Sequence, residues 1–330
     1  MPKFLIIRFS SIGDIVLTTP VVRCLKNQVP DAQVHFLTKK LFKDVLRANP
    51  YIDKMHLLDE SINELVENLR KEKFDFIIDL HHNQRSQFVK FRLGVKSFSF
   101  NKINIEKWLM VNFKLNRLPD QHIVDRYLET LGDFKVSYDG DGLDYFTAPE
   151  SDRIMSVLPK THSEYVAFVI GAKHSTKRLP ESKIVSIIRS SEKSFVLLGG
   201  HEDKGIGTRI AEQCGQRVYS ACGTCSLDES AVLLKNASHV ITHDTGLMHI
   251  ATALGKKIVS VWGNTIPEFG MYPFYSESFG GKNAGMKTVV EVSGLSCRPC
   301  TKIGFEKCPK NHFNCMNQID EKKILSALNS

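Results

Sequence analysis

No stretch of the 330-residue chain approaches the roughly 18 consecutive apolar residues that a membrane-spanning helix requires. The opening Met1-Pro2-Lys3-Phe4-Leu5-Ile6-Ile7-Arg8 carries an apolar run too short, and too soon broken by charge, for a signal peptide; this points to a cytoplasmic protein. There is no short internal repeat and no low-complexity tract. Helix-turn-helix, zinc-finger and RNP patterns are missing, which argues against nucleic acid as a partner. The turn after the first apolar strand lacks GxGxxG, which argues against a nicotinamide-dependent oxidoreductase. There are 8 cysteines, but without a secretory context they do not read as a disulfide framework, because the cytoplasm keeps thiols reduced.

What is present is ordinary for a globular protein, with 42% hydrophobic and 24% charged residues. At roughly 100–200 residues per domain the length implies two domains, large enough to form cores without staples. Strands are expected at Lys3–Phe9, Ala32–Thr38, Ile52–Leu58 and Phe74–Leu80, the last continuously apolar as in a parallel sheet covered on both faces. Helical patterns run from the first turn to about Gln28 and over Ser61–Glu72, where Ser61 and Glu64 form a capping box. Pro20 requires that first helix to be kinked or to start late. The pattern weakens between Asp139 and His162, where the linker is placed. It restarts with strands at Tyr165–Ile170, Phe195–Leu198, His239–Thr242 and Lys257–Trp262. Helices at Glu181–Ser191, Glu202–Cys214, Leu227–Asn236 and Leu247–Leu254 alternate with them, and a last helix is expected over about 319–329. Such alternation implies an α/β protein of two doubly wound domains, residues 1–150 and 151–330.

The formal charge of +8 is unevenly spread. Between Arg85 and Arg117 stand eight basic residues (Arg85, Lys90, Arg92, Lys96, Lys102, Lys107, Lys114, Arg117) and one acid, Glu106, interleaved with apolar and aromatic side chains. Two readings fit: a solvated basic face beside a normal core, or a surface that grips a phosphorylated ligand or rests on an anionic membrane.

In open parallel sheets ligands bind beyond the carboxyl ends of the strands, so the turns there are the candidates for chemistry. The first is Ser10-Ser11-Ile12-Gly13-Asp14. Gly13 permits close backbone approach, and Asp14, in the first helical turn, is either a capping carboxylate or a general base. The second, Gly171 to Pro180, carries Lys173, Lys177 and Arg178 with the hydroxyls of Ser175 and Thr176; it reads as a polar loop or as a diphosphate cradle. The third is Thr242-His243-Asp244-Thr245-Gly246-Leu247-Met248-His249. Asp244 can cap the next helix, leaving the amides of Thr245, Gly246 and Leu247 to face an anion, with His249 one turn inside. The fourth, Gly199-Gly200-His201-Glu202-Asp203, suits ribose hydroxyls or a capped helix start.

The opening Phe4 to Pro20, the block Asp244-Thr245-Gly246-Leu247-Met248-His249-Ile250-Ala251, and the later Ala253-Leu254-Gly255 and Trp262-Gly263-Asn264-Thr265 resemble glycosyltransferase family 9, which includes the ADP-heptose:lipopolysaccharide heptosyltransferases. The resemblance implies a GT-B fold of two Rossmann-like domains facing a central cleft. The acceptor would bind the N-terminal domain, the nucleotide sugar the C-terminal one, and the last helix would pack back on the first domain. By resemblance Asp14 is the catalytic base and Lys177 contacts the donor phosphates. Lys173, Ser175, Thr176, Asp244, Thr245, Gly246, Leu247 and His249 serve the donor. Glu202, or Asp203 in its place, meets the ribose, and the backbone at Cys225 meets the adenine. Ser10, Ser11, Gly13, Arg85, Lys90 and Arg92 are expected on the acceptor side. The implied partners are a nucleotide-diphosphate sugar and an anionic lipid-linked saccharide, with transient contact to an anionic membrane surface. The implied reaction is an inverting transfer with no cofactor and no catalytic metal, by a cytoplasmic or peripheral protein. One departure is Lys177-Arg178-Leu179-Pro180, where heptosyltransferases often carry an aromatic before the proline; it bears on the sugar more than on the reaction class.

Two cysteine groups remain. Cys297-Arg298-Pro299-Cys300 with Cys308, His312 and Cys315 has the ligand count of a structural zinc site, or is a packed loop of reduced thiols. Cys222-Gly223-Thr224-Cys225 has redox-pair spacing without a thioredoxin-like setting. A non-catalytic nucleotide-sugar or lipid-binding protein on the same scaffold is the alternative function, and Asp14 separates the two.

Overall fold

A computed structural model describes residues 1–281 and 285–329. They divide into two compact units: unit 1 holds Met1–Lys102, Gln121–Phe146 and Ser276–Ser278, and unit 2 holds Ile103–Asp120, Thr147–Tyr275 and Phe279–Ser330. The main division falls inside the weak-pattern stretch, but Ile103–Asp120 belongs to unit 2, which splits the basic stretch between the units.

In unit 1 the strands β1 (Lys3–Ile7), β2 (Gln33–Lys39), β3 (Lys54–Leu58), β4 (Phe76–Asp79) and β5 (Lys96–Ser99) form a parallel sheet in the order β3-β2-β1-β4-β5. Around it run helices α1 (Ile12–Val16), α2 (Thr19–Gln28), α3 (Ile62–Lys71) and α4 (Gln84–Leu93), with α6 (Ile123–Leu128) after the excursion of α5 (Asn104–Phe113). The expected first helix is two helices, and Pro20 lies in the first turn of α2, where its missing N–H has no intrahelical partner to lose. Ser61 caps α3, its Oγ accepting from the Glu64 amide at 3.2 Å. Leu5, Ile7, Leu37, Leu65, Val66, Leu69, Ile77 and Val89 pack into one core, each large side chain contributing about 1.5–3 kcal/mol on burial.

Unit 2 contains β6 (Val166–Val169), β7 (Phe195–Leu198), β8 (Val218–Ser220), β9 (His239–His243), β10 (Ile258–Trp262) and β11 (Lys287–Glu291), in the order β11-β10-β9-β6-β7-β8, and every pairing is parallel. Helices α7 (Glu181–Arg189), α8 (Lys204–Cys214), α9 (Leu227–Asn236) and α10 (Gly246–Ala253) cross over between strands, and α11 (Asn314–Asn317) and α12 (Glu321–Ala327) close the unit. The final helix was expected on the first domain. Instead Ile324 and Leu328 complete the core of unit 2, and Glu321 accepts from Ser186 at 2.6 Å and pairs with Lys183 at 2.9 Å, both on α7. Burial opposes the Glu321 charge, but these two partners outweigh it and hold its pKa below the ordinary carboxylate value.

Each sheet reverses its strand order once, between β1 and β4 in unit 1 and between β6 and β9 in unit 2. A doubly wound sheet binds ligands at such a switch point. The Asp14 turn leaves β1, and the Lys177 and Asp244 turns leave β6 and β9, so three candidate turns stand at switch points.

Candidate active site

In unit 1, Ser11 is the N-cap of α1 and Asp14 stands at its third position. The Asp14 carboxylate accepts from the Ser11 amide at 3.1 Å and the Ser11 hydroxyl at 2.7 Å, and its other oxygen pairs with Arg8 Nη2 at 2.7 Å. The capping reading therefore holds, and the ion pair is added to it. Arg8 is buried at the end of β1 and also donates to the Ser10 carbonyl at 2.8 Å and the Tyr127 hydroxyl at 3.0 Å. Burial works against its charge, but Asp14 and Tyr127 more than offset that and raise its pKa. His81, beyond β4, stacks edge-on against Phe9 at 5.2 Å. Burial, with Arg8 and Lys102, pushes its pKa down to about 4, so it is neutral at pH 7. Arg8 and His81 were missed from sequence. The available signal was a charge at the end of a buried strand.

The acceptor-side cations are placed differently from expectation. Lys90 pairs with the fully buried Asp79 at 3.0 Å and donates to Ser99 at 2.8 Å. Arg92 pairs with Glu67 at 3.1 Å and lies over the Phe88 ring. Both act within α3, α4 and the sheet rather than as open anion contacts, while Arg85 is exposed on α4. Ser10 is half-buried, Ser11 is exposed and Gly13 is buried beside Asp14.

In unit 2 the structure ties the candidate turns together. Lys177 Nζ lies 2.6 Å from Asp244 Oδ2, which also accepts from the Thr265 hydroxyl at 3.1 Å. The Leu179 amide donates to His243 Nε2 at 2.9 Å; burial, then Arg178, lowers the His243 pKa to about 3, so it remains a neutral acceptor. Arg178 reaches Asp203 Oδ1 at 3.0 Å, and the Gly200 amide binds the other oxygen of Asp203 at 2.9 Å. A side chain at Gly199 would put its Cβ 2.7 Å from that of Asp203, so the fourth turn needs glycine for close packing. The Gly223 amide donates to the Gly199 carbonyl at 3.1 Å, which brings the Cys225 turn beside the Glu202 turn.

Several assignments change. Asp244 does not cap α10. Thr245 is its N-cap, because the Asp244 carboxylate is held by Lys177 and Thr265. Thr245 Oγ1 is buried without a hydrogen-bond partner, while Gly246 and Leu247 open the helix and His249 is buried one turn in. Thr176 is buried, and its hydroxyl and amide close on the Phe305 backbone at 2.8–3.1 Å, so it anchors that loop and offers nothing to a donor. Lys173, Ser175 and Glu202 are exposed. Asp203 is locked in place, which leaves Glu202 as the free acid of its turn. Leu179, the departure before Pro180, is buried and lies in the core. Asn264 was missed: both polar atoms of its buried amide lack partners, and it adjoins Thr265.

No lowered thiol supports a redox pair at Cys222 and Cys225; burial pushes both up, Cys222 to about 12. In the second group Cys297 Sγ lies 3.9 Å from His312 Nε2, and burial raises Cys300 to about 11 and Cys315 to about 12. Among the described residues, the one metal-capable trio with ligand atoms within 4.8 Å is His35, His56 and Glu72, not this group. There His35 Nδ1 and His56 Nε2 already share a hydrogen bond at 3.0 Å, and Lys3 and Lys54 pair with Glu72.

A family model described as glycosyltransferase family 9 (heptosyltransferase) matches residues 62–292. The lipopolysaccharide heptosyltransferase 1 of Campylobacter coli is 24% identical, over 99% of this chain and 98% of that protein. Among solved structures, a family 9 glycosyl transferase from Veillonella parvula aligns with TM-score 0.77 and 21% identity over 99% of this chain and 96% of that one. The E. coli heptosyltransferase WaaC, solved with ADP, aligns with TM-score 0.70 and 20% identity over 99% of each chain.

Proposed function

The chain belongs to glycosyltransferase family 9, and from that premise we propose that it transfers heptose or a related sugar from an ADP-sugar to an anionic lipopolysaccharide core-type acceptor, with inversion and without a catalytic metal. Asp14 takes the proton from the acceptor hydroxyl as that oxygen attacks the anomeric carbon. The bond from that carbon to the diphosphate oxygen breaks in the same displacement, and the electron pair leaves with ADP. Lys177 and the amides opening α10 stabilise the charge gathering on the leaving group, a task that preorganised donors perform well in a water-poor site. Glu202 receives the ribose and the Cys225 backbone the adenine. The likeness to a protein solved with ADP supports the choice of base.

The observation that carries this reading is the Lys177–Asp244–Thr265 cluster at the switch point of the unit 2 sheet, beside the N-terminus of α10. Lys177 and Thr265 both meet the Asp244 carboxylate there, next to the start of α10, and a helix N-terminus favours an anion such as a diphosphate. The test is calorimetry with ADP-heptose alongside a transfer assay, on the natural protein and on Asp14→Asn. Donor binding retained with transfer lost supports the mechanism. Donor binding with no transfer by either protein selects the non-catalytic alternative. Transfer abolished by chelation and restored by a divalent cation overturns the metal-independent step.

A further inference from the structure

The basic stretch that the sequence singled out is not one surface. Its first half is engaged within unit 1, through Lys90–Asp79, Arg92–Glu67 and Lys96–Asp133. Its second half forms α5 and the following turn in unit 2 and behaves differently. Six of the ten residues of α5 are apolar, yet none is buried. Ile105 is 72% exposed, Trp108 55%, Phe113 58% and Leu115, just beyond, 54%. Ile105 and Trp108 are three positions apart, on one helical face, and the Trp108 and Phe113 rings meet edge-on at 5.2 Å.

A second segment of unit 2 enlarges this surface. Lys114 Nζ donates to the Pro299 carbonyl at 2.7 Å, and Lys302 Nζ reaches Asn104 Oδ1 at 3.4 Å, so α5 lies against the loop that follows β11. That loop adds Ile303, 54% exposed, and Phe305, 39% exposed. The two short segments thus supply six of the twelve exposed large hydrophobic side chains among the described residues. Residues 104–117 carry three cations and one acid, and the loop at 299–313 carries the exposed Lys302, Lys307 and Lys310 and one acid, Glu306, while Arg298 is turned inward on Glu291.

We propose that α5 and the loop after β11 form a docking face that lays Trp108, Phe113 and Ile303 into the interface of an anionic lipid bilayer. The chemistry matches one occupant. Interfacial helices combine aromatic and aliphatic anchors with a lysine- and arginine-rich surround, and cations near an anionic leaflet strengthen the attachment. An interface between proteins gains little from an excess of one charge sign around its apolar centre, whereas anionic headgroups complement it. The face deepens the reading of a lipid-linked acceptor and rests on it for its purpose, since it would hold the enzyme where such an acceptor resides.

The chain supplies its own probe. It has 2 tryptophans, and Trp262 is buried, so a change in emission on adding vesicles reports Trp108. The intact protein is mixed with phosphatidylglycerol vesicles and with phosphatidylcholine vesicles, at low and high salt. Expected are sedimentation with the anionic vesicles alone, a blue shift, quenching by brominated acyl chains, and weakening by salt. The pair Trp108→Ser and Phe113→Ser should lower partitioning by at least about tenfold, Lys302→Glu by about fivefold. Transfer to a delipidated, soluble acceptor should stay unchanged in these variants. That assay separates a failed docking face from a failed reading of the activity. Absence of quenching in the natural protein overturns the proposal. So does vesicle binding that the variants leave intact, or a dimer in sedimentation equilibrium that Trp108→Ser dissolves, which would make the face a self-association surface.

Discussion

Two aspartates, one in each unit, follow the end of a central parallel strand, yet they are held in different ways. Asp14 is fixed by its own neighbourhood: the Ser11 amide and hydroxyl three residues before it, and Arg8 at the end of the same strand. Asp244 is fixed from a distance, by Lys177 67 positions away and by Thr265 21 positions away. A locally held carboxylate keeps its place whatever the rest of the chain does, which suits the proton-accepting role proposed for Asp14. A carboxylate that joins three turns couples them, so a ligand displacing Lys177 from Asp244 is felt in the turns after β6, β9 and β10. The lesson is that carboxylates beyond switch-point strands of two such sheets can be held by their own neighbourhood in one and tie distant turns together in the other.

Exchanging the properties of the two acids breaks the comparison most directly. Asp14→Asn should lower the transfer rate by about 10²–10⁴-fold with donor affinity unchanged. Asp244→Asn should loosen Lys177 and weaken donor binding, with a smaller effect on the rate of bound substrate. Initial rates over a range of donor concentration separate the two, and parallel losses in both variants would collapse the distinction. Next in size, Asp203→Ala leaves Arg178 without its buried partner and should cost about 3 kcal/mol, read as a lowered urea midpoint; an unchanged midpoint would show that the turns of unit 2 are not coupled through this pair.

A third expectation concerns acid. His56 and His81, each at about 4, and His243, at about 3, have folded pKa values below the ordinary 6.5, mainly through burial. The folded state therefore binds fewer protons than the unfolded chain. The stability these neutral histidines allow is complete above pH 6.5 and is lost as pH falls toward 4. The melting temperature should drop by roughly 5 °C between pH 7 and pH 5. A flat profile would mean that the imidazoles reach water. The smallest effect belongs to local structure. Ser61→Ala removes one cap from α3 and should cost about 1 kcal/mol in thermal unfolding, with donor affinity untouched.

The same contrast explains how far the sequence was legible. Features decided within a few residues were read well: the apolar strands that became β1, β7 and β9, the Ser61 cap, the α9 boundaries Leu227–Asn236, and the break forced by Pro20. Features decided between distant residues were not. Asp244 has the pattern of an N-cap, and its carboxylate goes instead to an ammonium brought in by the fold. Thr176 has the pattern of an anion-binding hydroxyl and closes on Phe305. Lys90 counted as an open charge until β4 placed Asp79 beneath it. The strands β5, β8 and β11 were overlooked because Lys96–Ser99 is largely exposed and Val218–Ser220 and Lys287–Glu291 only partly buried, so they carry a weak apolar signal.

By itself the sequence determined the alternation of strand and helix, the two Rossmann-like units and the family. Periodicity, capping and turn chemistry act over one or two turns of chain, and they are written in consecutive residues. Only the tertiary structure decided which charges are spent on each other, which hydroxyls are buried, and which apolar residues remain in water. Those outcomes depend on groups tens of positions apart sharing a few ångströms, and the gain from pairing or burying a group exists only once the folded chain has brought its partner near.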